Sequence, residues 1–364
     1  MSQLDRRQLL AGLGAGLIAA GPAFATPVPK DIAQRLAQAE QDGRVSGLHT
    51  LLVSQGGRLV FEHYGQGEDQ AWNRPLGTVN FAPGVLHDLR SVSKSVVGLL
   101  YGIALADGKV PPPDARLYDQ FPQYPHLARQ PGRDRLTIRH VLSMTMGLEW
   151  DELTIPYGDP RNSETAMEAA PDRFRFILER PIVGDPGVKW TYCGGATAIL
   201  GRLIAKGTGE ALPAYARRVL FDPLAFGPSE WVIGRDGEPR AASGLRLLPR
   251  DMLKIGQLAL AGGTWNGTQI VSADWVKRIT SPVIEIRRGR SYGYHWYIGE
   301  VLAGAPERPL HWMGGIGWGG QQLMAFPALG LVVAMNCGNY GKPGMEQGRI
   351  VGAVLIDVVL PNFV

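Results

Sequence analysis

The residues with the clearest chemical potential are Ser91-Val92-Ser93-Lys94, an S-x-x-K spacing. If Ser91 opens a helix, free backbone N–H groups and the helix dipole favour negative charge developing beside its hydroxyl. Lys94, three residues on, then projects from the same face and reaches that hydroxyl. The apolar run VVGLLYGIAL that follows would carry the lysine into the core, where desolvation favours a neutral amine able to accept a serine proton. The plain alternative is a serine N-cap beside a solvated lysine. A second serine, in Gly289-Arg290-Ser291-Tyr292-Gly293, fits G-x-S-x-G. That motif needs a strand before it and a helix after it. Here arginines precede the serine and YHWYI follows, a charged turn running into a strand, so the match is read as chance. No H-E-x-x-H, His-x-His or phosphate-loop pattern occurs, so neither a metal nor a cofactor is expected.

The elements around these residues follow from periodicity. LeuLeuVal and LeuValPhe runs flank Gln55-Gly56-Gly57, a hairpin signal. Helical patterns cover the run after Ser91, Leu136 to Leu148, Asp172 to Leu178, Gly195 to Lys206, Leu212 to Leu220 and Arg250 to Ala261. Strand patterns return at Ser291 to Ile298, Gln321 to Phe326 and Gly330 to Met335, and Gly348 to Val359 reads as a closing amphipathic helix. An antiparallel sheet built from both ends of the chain, with helices inserted between, reconciles them in one α+β domain. The helical subdomain is expected over roughly 95–240.

Composition narrows the function classes. The chain has 364 residues, Lys+Arg 37, Asp+Glu 33, two Cys and 48 Gly. Two cysteines exclude a disulfide scaffold or a Cys-rich zinc module; whether Cys193 and Cys337 pair stays open. Residues 1–25 combine Arg6-Arg7, an apolar stretch from Leu9 to Ala20 and Ala23-Phe24-Ala25, the parts of an export signal of twin-arginine type. Its loss removes two Arg and one Asp and takes the formal charge from +4 to +3. No basic cluster remains, so neither nucleic acid nor stable membrane association is expected. A periplasmic or secreted location follows.

The blocks RSVSKSVVGLLYGIALADGKV, LTIRHVLSMTMGLEW, DPGVKWTYCGGATAILGRLI, SYGYHWYI and GGIGWGGQQLMAFPALGLVVAMN occur in the order found in serine beta-lactamase-related hydrolases, and the chain from about Leu48 onward resembles that superfamily. It includes class C beta-lactamases, DD-peptidases, family VIII-type esterases and 6-aminohexanoate-dimer hydrolases. The resemblance implies the beta-lactamase/DD-peptidase-like fold, an antiparallel sheet flanked by helices with a helical subdomain. It also implies Ser91 as nucleophile, and Lys94 and Tyr192 as general base and acid. The second motif, Tyr-x-Asn or Tyr-x-Ser, is met only by Tyr192, because Gly194 stands where the amide or hydroxyl belongs. The third, Lys-Thr-Gly or His-x-Gly, aligns with Gly315-Ile316-Gly317 and lacks its cation; His311 is out of register. These departures favour an esterase or 6-aminohexanoate-dimer-hydrolase-like acyl hydrolase over a true beta-lactamase or DD-peptidase, and leave a non-turnover binding or sensor module as a further alternative. The backbone N–H groups of Ser91 and Trp318 are the expected oxyanion hole. Trp190, Gly315, Gly317, Gly319 and Gly320 are expected to contact substrate, within a pocket that Trp150 and Trp312 would also line.

Overall fold

The computed structural model describes residues 31–304 and 308–364; the expected export signal lies outside them. The chain opens with α1 (Ile32–Gln41), the hairpin β1 (Leu48–Gln55) and β2 (Arg58–Tyr64), a second pair β3 (Gln66–Ala71) and β4 (Arg74–Asn80), and the short β5 (His87–Asp88). Gly56 and Gly57 take φ of +55° and +78° in the first turn, a conformation that an L side chain resists. Seven α-helices follow: α2 (Val92–Ala106), α3 (Pro125–Ala128), α4 (Ile138–Leu142), α5 (Ser163–Ala169), α6 (Arg173–Glu179), α7 (Gly194–Thr208) and α8 (Leu212–Ala216). Next come β6 (Glu230–Trp231), β7 (Leu245–Leu247), α9 (Pro249–Leu260), β8 (Thr264–Trp265), β9 (Thr268–Gln269) and α10 (Ala273–Ile279). The end of the chain supplies β10 (Ile284–Arg287), β11 (Arg290–Tyr292), β12 (Tyr297–Ala303), β13 (Arg308–Gly317), β14 (Gln321–Phe326), β15 (Leu331–Cys337) and α11 (Gly344–Gly352).

The main sheet runs β10-β11-β12-β13-β14-β15-β1-β2, with every pair antiparallel. The N-terminal hairpin therefore docks on the last strand, joining the two ends of the chain as the α+β reading requires. Its central strands β14, β15 and β1 are buried at nearly every position because both faces are covered. In β15, Val332 and Ala334 face the core that contains α2, α7 and α9, while Leu331, Val333 and Met335 face a second core with α1 and the C-terminal helix. Period-two alternation thus sorts one continuous apolar run into two cores.

Two expected elements are shorter than their sequence patterns. The helix expected over Leu136 to Leu148 ends at Leu142, since Met144 and Gly147 take φ of +56° and +71°. A Cβ on Gly147 would approach Gly184 O to 2.2 Å, so the chain turns where the apolar pattern continues. The strand expected over Ser291 to Ile298 is broken into β11 and β12, with His295 at φ +63° between them. Ser291 lies within β11, not at a strand-to-helix elbow, in keeping with the chance reading of its motif. Cys193 and Cys337 are both buried free thiols.

Candidate active site

Ser91 is the N-cap residue of α2, whose first turn holds no acidic residue to oppose an anion. The helix is fixed on both sides by its neighbouring serines. Ser93 Oγ accepts from Leu245 N at 3.2 Å, and Ser95 Oγ donates to His295 O at 3.0 Å. Of the three serines in this turn, Ser91 alone lines a cavity. Lys94 is 2% exposed, and its Nζ lies 3.1 Å from Ser91 Oγ and 3.1 Å from Ala242 O. The Tyr192 ring lies 4.7 Å from the same Nζ. Burial raises the Tyr192 phenol well above its ordinary value; the Glu152 charge adds to this and a hydrogen bond with Ser91 opposes it. The phenol is thus held protonated and can act as a proton donor.

Glu152 is the residue that the motifs did not reveal. It is fully buried, with Oε1 3.9 Å from Lys94 Nζ and Oε2 accepting from Trp150 Nε1 at 2.9 Å and Gly194 N at 2.6 Å. Tyr157 OH donates to Oε1 at 3.2 Å. Burial, followed by the Glu164 charge, pushes its carboxyl up to about 7, against the pull of Lys94. The Tyr-x-Gly departure now has a physical reason. A Cβ at Gly194 would lie 3.1 Å from Glu152 Oε2 and 3.3 Å from Glu164 Oε1. Glycine lets the start of α7 close on two carboxylates, so a carboxyl group occupies the neighbourhood where the motif would place an amide or hydroxyl.

Two cavities meet at Ser91, of about 840 Å³ and 610 Å³. Ser91, Tyr157, Trp318 and Tyr340 line both, and the Tyr157 and Trp318 rings meet edge to face at 5.6 Å. The larger cavity runs along the sheet past Tyr192, Tyr297, Trp312 and Met324, with Arg290 as its cation. Burial lowers the Arg290 guanidinium from its ordinary value, and it stacks 5.3 Å from the Trp312 ring. The smaller cavity is charged, with Arg90, Arg235 and Arg240 against Glu164 and Glu168. Among the described residues, neither the Ser91 nor the Trp318 backbone N–H donates to another protein group, and both residues border the cavities.

The expected substrate contacts divide. Gly317 and Gly320 line the larger cavity; Gly315, Gly319 and Trp190 line neither. A Cβ at Gly315 would meet Ser95 Oγ at 2.9 Å and Val92 at 3.1 Å, so this glycine brings β13 against α2. At Gly319 it would strike the Tyr340 ring at 2.6 Å. Trp190 packs on Tyr192, Tyr292 and Tyr297 from behind, and Trp150 holds Glu152 instead of lining a cavity. His311 points to solvent and pairs with Glu300 at 3.3 Å. Among the described residues, three metal-ligating side chains converge at one place outside the cleft, His49, Asp69 and His87.

A buried amine on the first turn of a helix, a serine hydroxyl in its reach and a tyrosine above it define a serine-hydrolase-like arrangement. The chain belongs to the beta-lactamase family, whose model, described as Beta-lactamase, matches residues 32–358. It is similar to the 6-aminohexanoate-dimer hydrolase of Paenarthrobacter ureafaciens, with 27% identity over 273 residues; the match covers 71% of this chain and 61% of that relative's length. In fold it is similar to a Bacillus anthracis protein provisionally described as a 6-aminohexanoate-dimer hydrolase, with a TM-score of 0.70 and 19% identity, covering 89% of this chain and 81% of that one. EstCE1, a hydrolase with promiscuous acyltransferase activity, aligns with a TM-score of 0.67 and 15% identity over 90% of this chain and 99% of its own.

Proposed function

We propose that this protein is a serine hydrolase that cleaves an ester or amide through an acyl-enzyme on Ser91. The observation that carries this reading is the 3.1 Å approach of a buried Lys94 Nζ to Ser91 Oγ at the junction of the two cavities. Ser91 Oγ attacks the carbonyl carbon and its proton passes to the Lys94 amine. The oxyanion is held by the Ser91 and Trp318 N–H groups, neither of which donates to another group among the described residues. Tyr192 gives its phenolic proton to the leaving group and is reprotonated from Lys94. Water then attacks the acyl carbonyl, loses its proton to the same pair, and releases the acid while Ser91 regains its hydrogen. Above about pH 7, where its carboxyl is ionised, Glu152 carries the charge that balances a protonated Lys94 during each half-reaction.

The relatives support a linear ester or amide as substrate. The glycine at 194 and the exposed position of His311 weigh against beta-lactam recognition. A fluorophosphonate probe should label the mature protein at Ser91, and Ser91→Ala should lose both the label and p-nitrophenyl ester hydrolysis. Labelling that persists in Ser91→Ala would refute the nucleophile; acylation without turnover on any ester, linear amide or cephalosporin would point to a binding module. Export through residues 1–25 is part of the proposal, and N-terminal sequencing of the periplasmic protein should begin near Thr26.

A further inference from the structure

Behind the nucleophile, three strands bring a second polar group together. His49 belongs to β1, Asp69 to β3 and His87 to β5, and all three are buried. His49 Nδ1 lies 2.9 Å from His87 Nε2, and His87 Nε2 lies 3.7 Å from Asp69 Oδ1. A tetrahedral ion with bonds of about 2.0–2.2 Å places neighbouring ligand atoms roughly 3.3–3.5 Å apart. The two observed separations bracket that spacing.

Two features distinguish this group from a self-sufficient hydrogen-bond network. Asp69 is 5% exposed, yet among the described residues neither carboxylate oxygen makes a well-formed hydrogen bond, with the Gln70 backbone N–H beside it. Leaving a buried acid in that state is costly. The charges of Arg90 and Arg246 favour its ionised form from a distance, but both guanidiniums grip Asp88, at 3.1 and 2.9 Å. The second feature is the orientation of the imidazoles. His87 Nδ1 lies 3.0 Å from Asp88 O, so Nδ1 carries the hydrogen and Nε2 presents a lone pair to His49 and Asp69. A backbone carbonyl holding the far nitrogen is the usual support of a metal-bound histidine. The His49 ring is fixed as well: it stacks on Phe81 at 4.2 Å, and a Cβ at Gly67 or Gly338 would come within 2.6 or 2.4 Å of it.

We propose that His49 Nδ1, His87 Nε2 and one oxygen of Asp69 bind a divalent first-row transition-metal ion, zinc or a close relative, as a structural site. Two imidazoles and a carboxylate favour such an ion over magnesium or calcium, which take oxygen ligands. The ion would replace the proton now shared between the two imidazoles and supply the missing partner of Asp69. Its place suggests its use. It ties β1, β3 and β5 together, and β5 ends three residues before Ser91, in a segment where Arg90 holds φ +47°. The metal thus clamps the backbone that presents the serine without touching the cleft.

The test uses the mature chain without a polyhistidine tag, expressed with zinc or with cobalt. One equivalent of zinc retained through dialysis, a visible Co²⁺ spectrum of tetrahedral intensity and a higher Tm for the zinc-loaded protein are expected. Asp69→Asn and His87→Gln should weaken Co²⁺ binding at least a hundredfold. No stoichiometric metal at micromolar zinc or cobalt, with Tm unchanged, would overturn the site. So would a Co²⁺ spectrum unaltered in both variants. Should either variant fail to fold, metal content and the Co²⁺ spectrum of the unsubstituted chain decide the question.

Discussion

Two buried cations in this molecule have opposite surroundings. Arg173, 1% exposed at the start of α6, is saturated: its guanidinium meets Asp236 at 2.6 and 2.8 Å, Glu168 at 3.2 Å and Pro239 O at 3.2 Å. Lys94, 2% exposed on α2, has a hydroxyl, one carbonyl and a carboxylate no closer than 3.9 Å. Burial of charge is costly in both places, and only around Arg173 do close carboxylates offset it. A saturated cation fastens the loop from 234 to 240 to α6. The under-saturated one keeps its Nζ in reach of the Ser91 hydroxyl. The contrast teaches that burial alone does not mark a functional charge; under the function proposed above, incomplete pairing beside the serine does.

The sharpest way to break this contrast is to remove each cation. Lys94→Met should lower kcat/KM on a p-nitrophenyl ester by on the order of 10³–10⁴, as expected for loss of a general base. Its Tm should change little, because a buried methionine replaces a poorly paired charge. Arg173→Met should do the reverse. Unfolding in urea should show a loss of about 3–5 kcal/mol, since Asp236 and Glu168 are left buried and unpaired, while kcat/KM of the folded protein stays within a few-fold. Equal stability losses in the two variants would remove the distinction. Tyr192→Phe sharpens it further. The ring that packs over Lys94 is kept and only the hydroxyl is lost, so a decrease of roughly 10²-fold in kcat with little change in KM is expected for an acid acting on the leaving group. A KM effect alone would assign Tyr192 to binding.

The local part of this site was legible in the sequence, and the part made by tertiary contact was not. Ser91 and Lys94 share one helical turn, so their proximity follows from three-residue spacing. Tyr192 came from motif resemblance. Glu152 had no signal, because it lies in the irregular segment before α5 and becomes a site residue only when α7 and α2 pack against it. Arg290 read as part of a charged turn, yet it begins β11, one strand in from the sheet edge, and leans over Trp312. The glycines show an ambiguity of another kind. Absence of a Cβ signals close approach without saying to what, and at Gly315 and Gly319 the neighbour is protein. The strands reversed the usual difficulty: β14 matches its sequence pattern at both ends, whereas the β11–β12 break is set by His295 and is invisible to alternation.

The smallest expected effect tests the carboxylate beside Lys94. Glu152 holds its proton in the folded chain up to about 7, whereas its ordinary value is 4.5. Between those values the unfolded chain has released the proton and the folded one has not. Folded-state protonation therefore gives stability that is present at low pH and lost as pH rises from about 4.5 to 7. Glu168, also raised to about 7 by burial, slopes the same way, so the variant must be compared with the parent at each pH. Glu152→Gln removes the titration and keeps the hydrogen-bonding shape. Its stability relative to the parent should rise by on the order of 1–3 kcal/mol from pH 4.5 to 7.5, read as parallel urea midpoints. Glutamine cannot balance a protonated Lys94, so the variant should also lose any limb of the kcat/KM profile near pH 7. A stability difference that does not vary with pH would show Glu152 to be ionised throughout, and Lys94 would then be as firmly paired as Arg173.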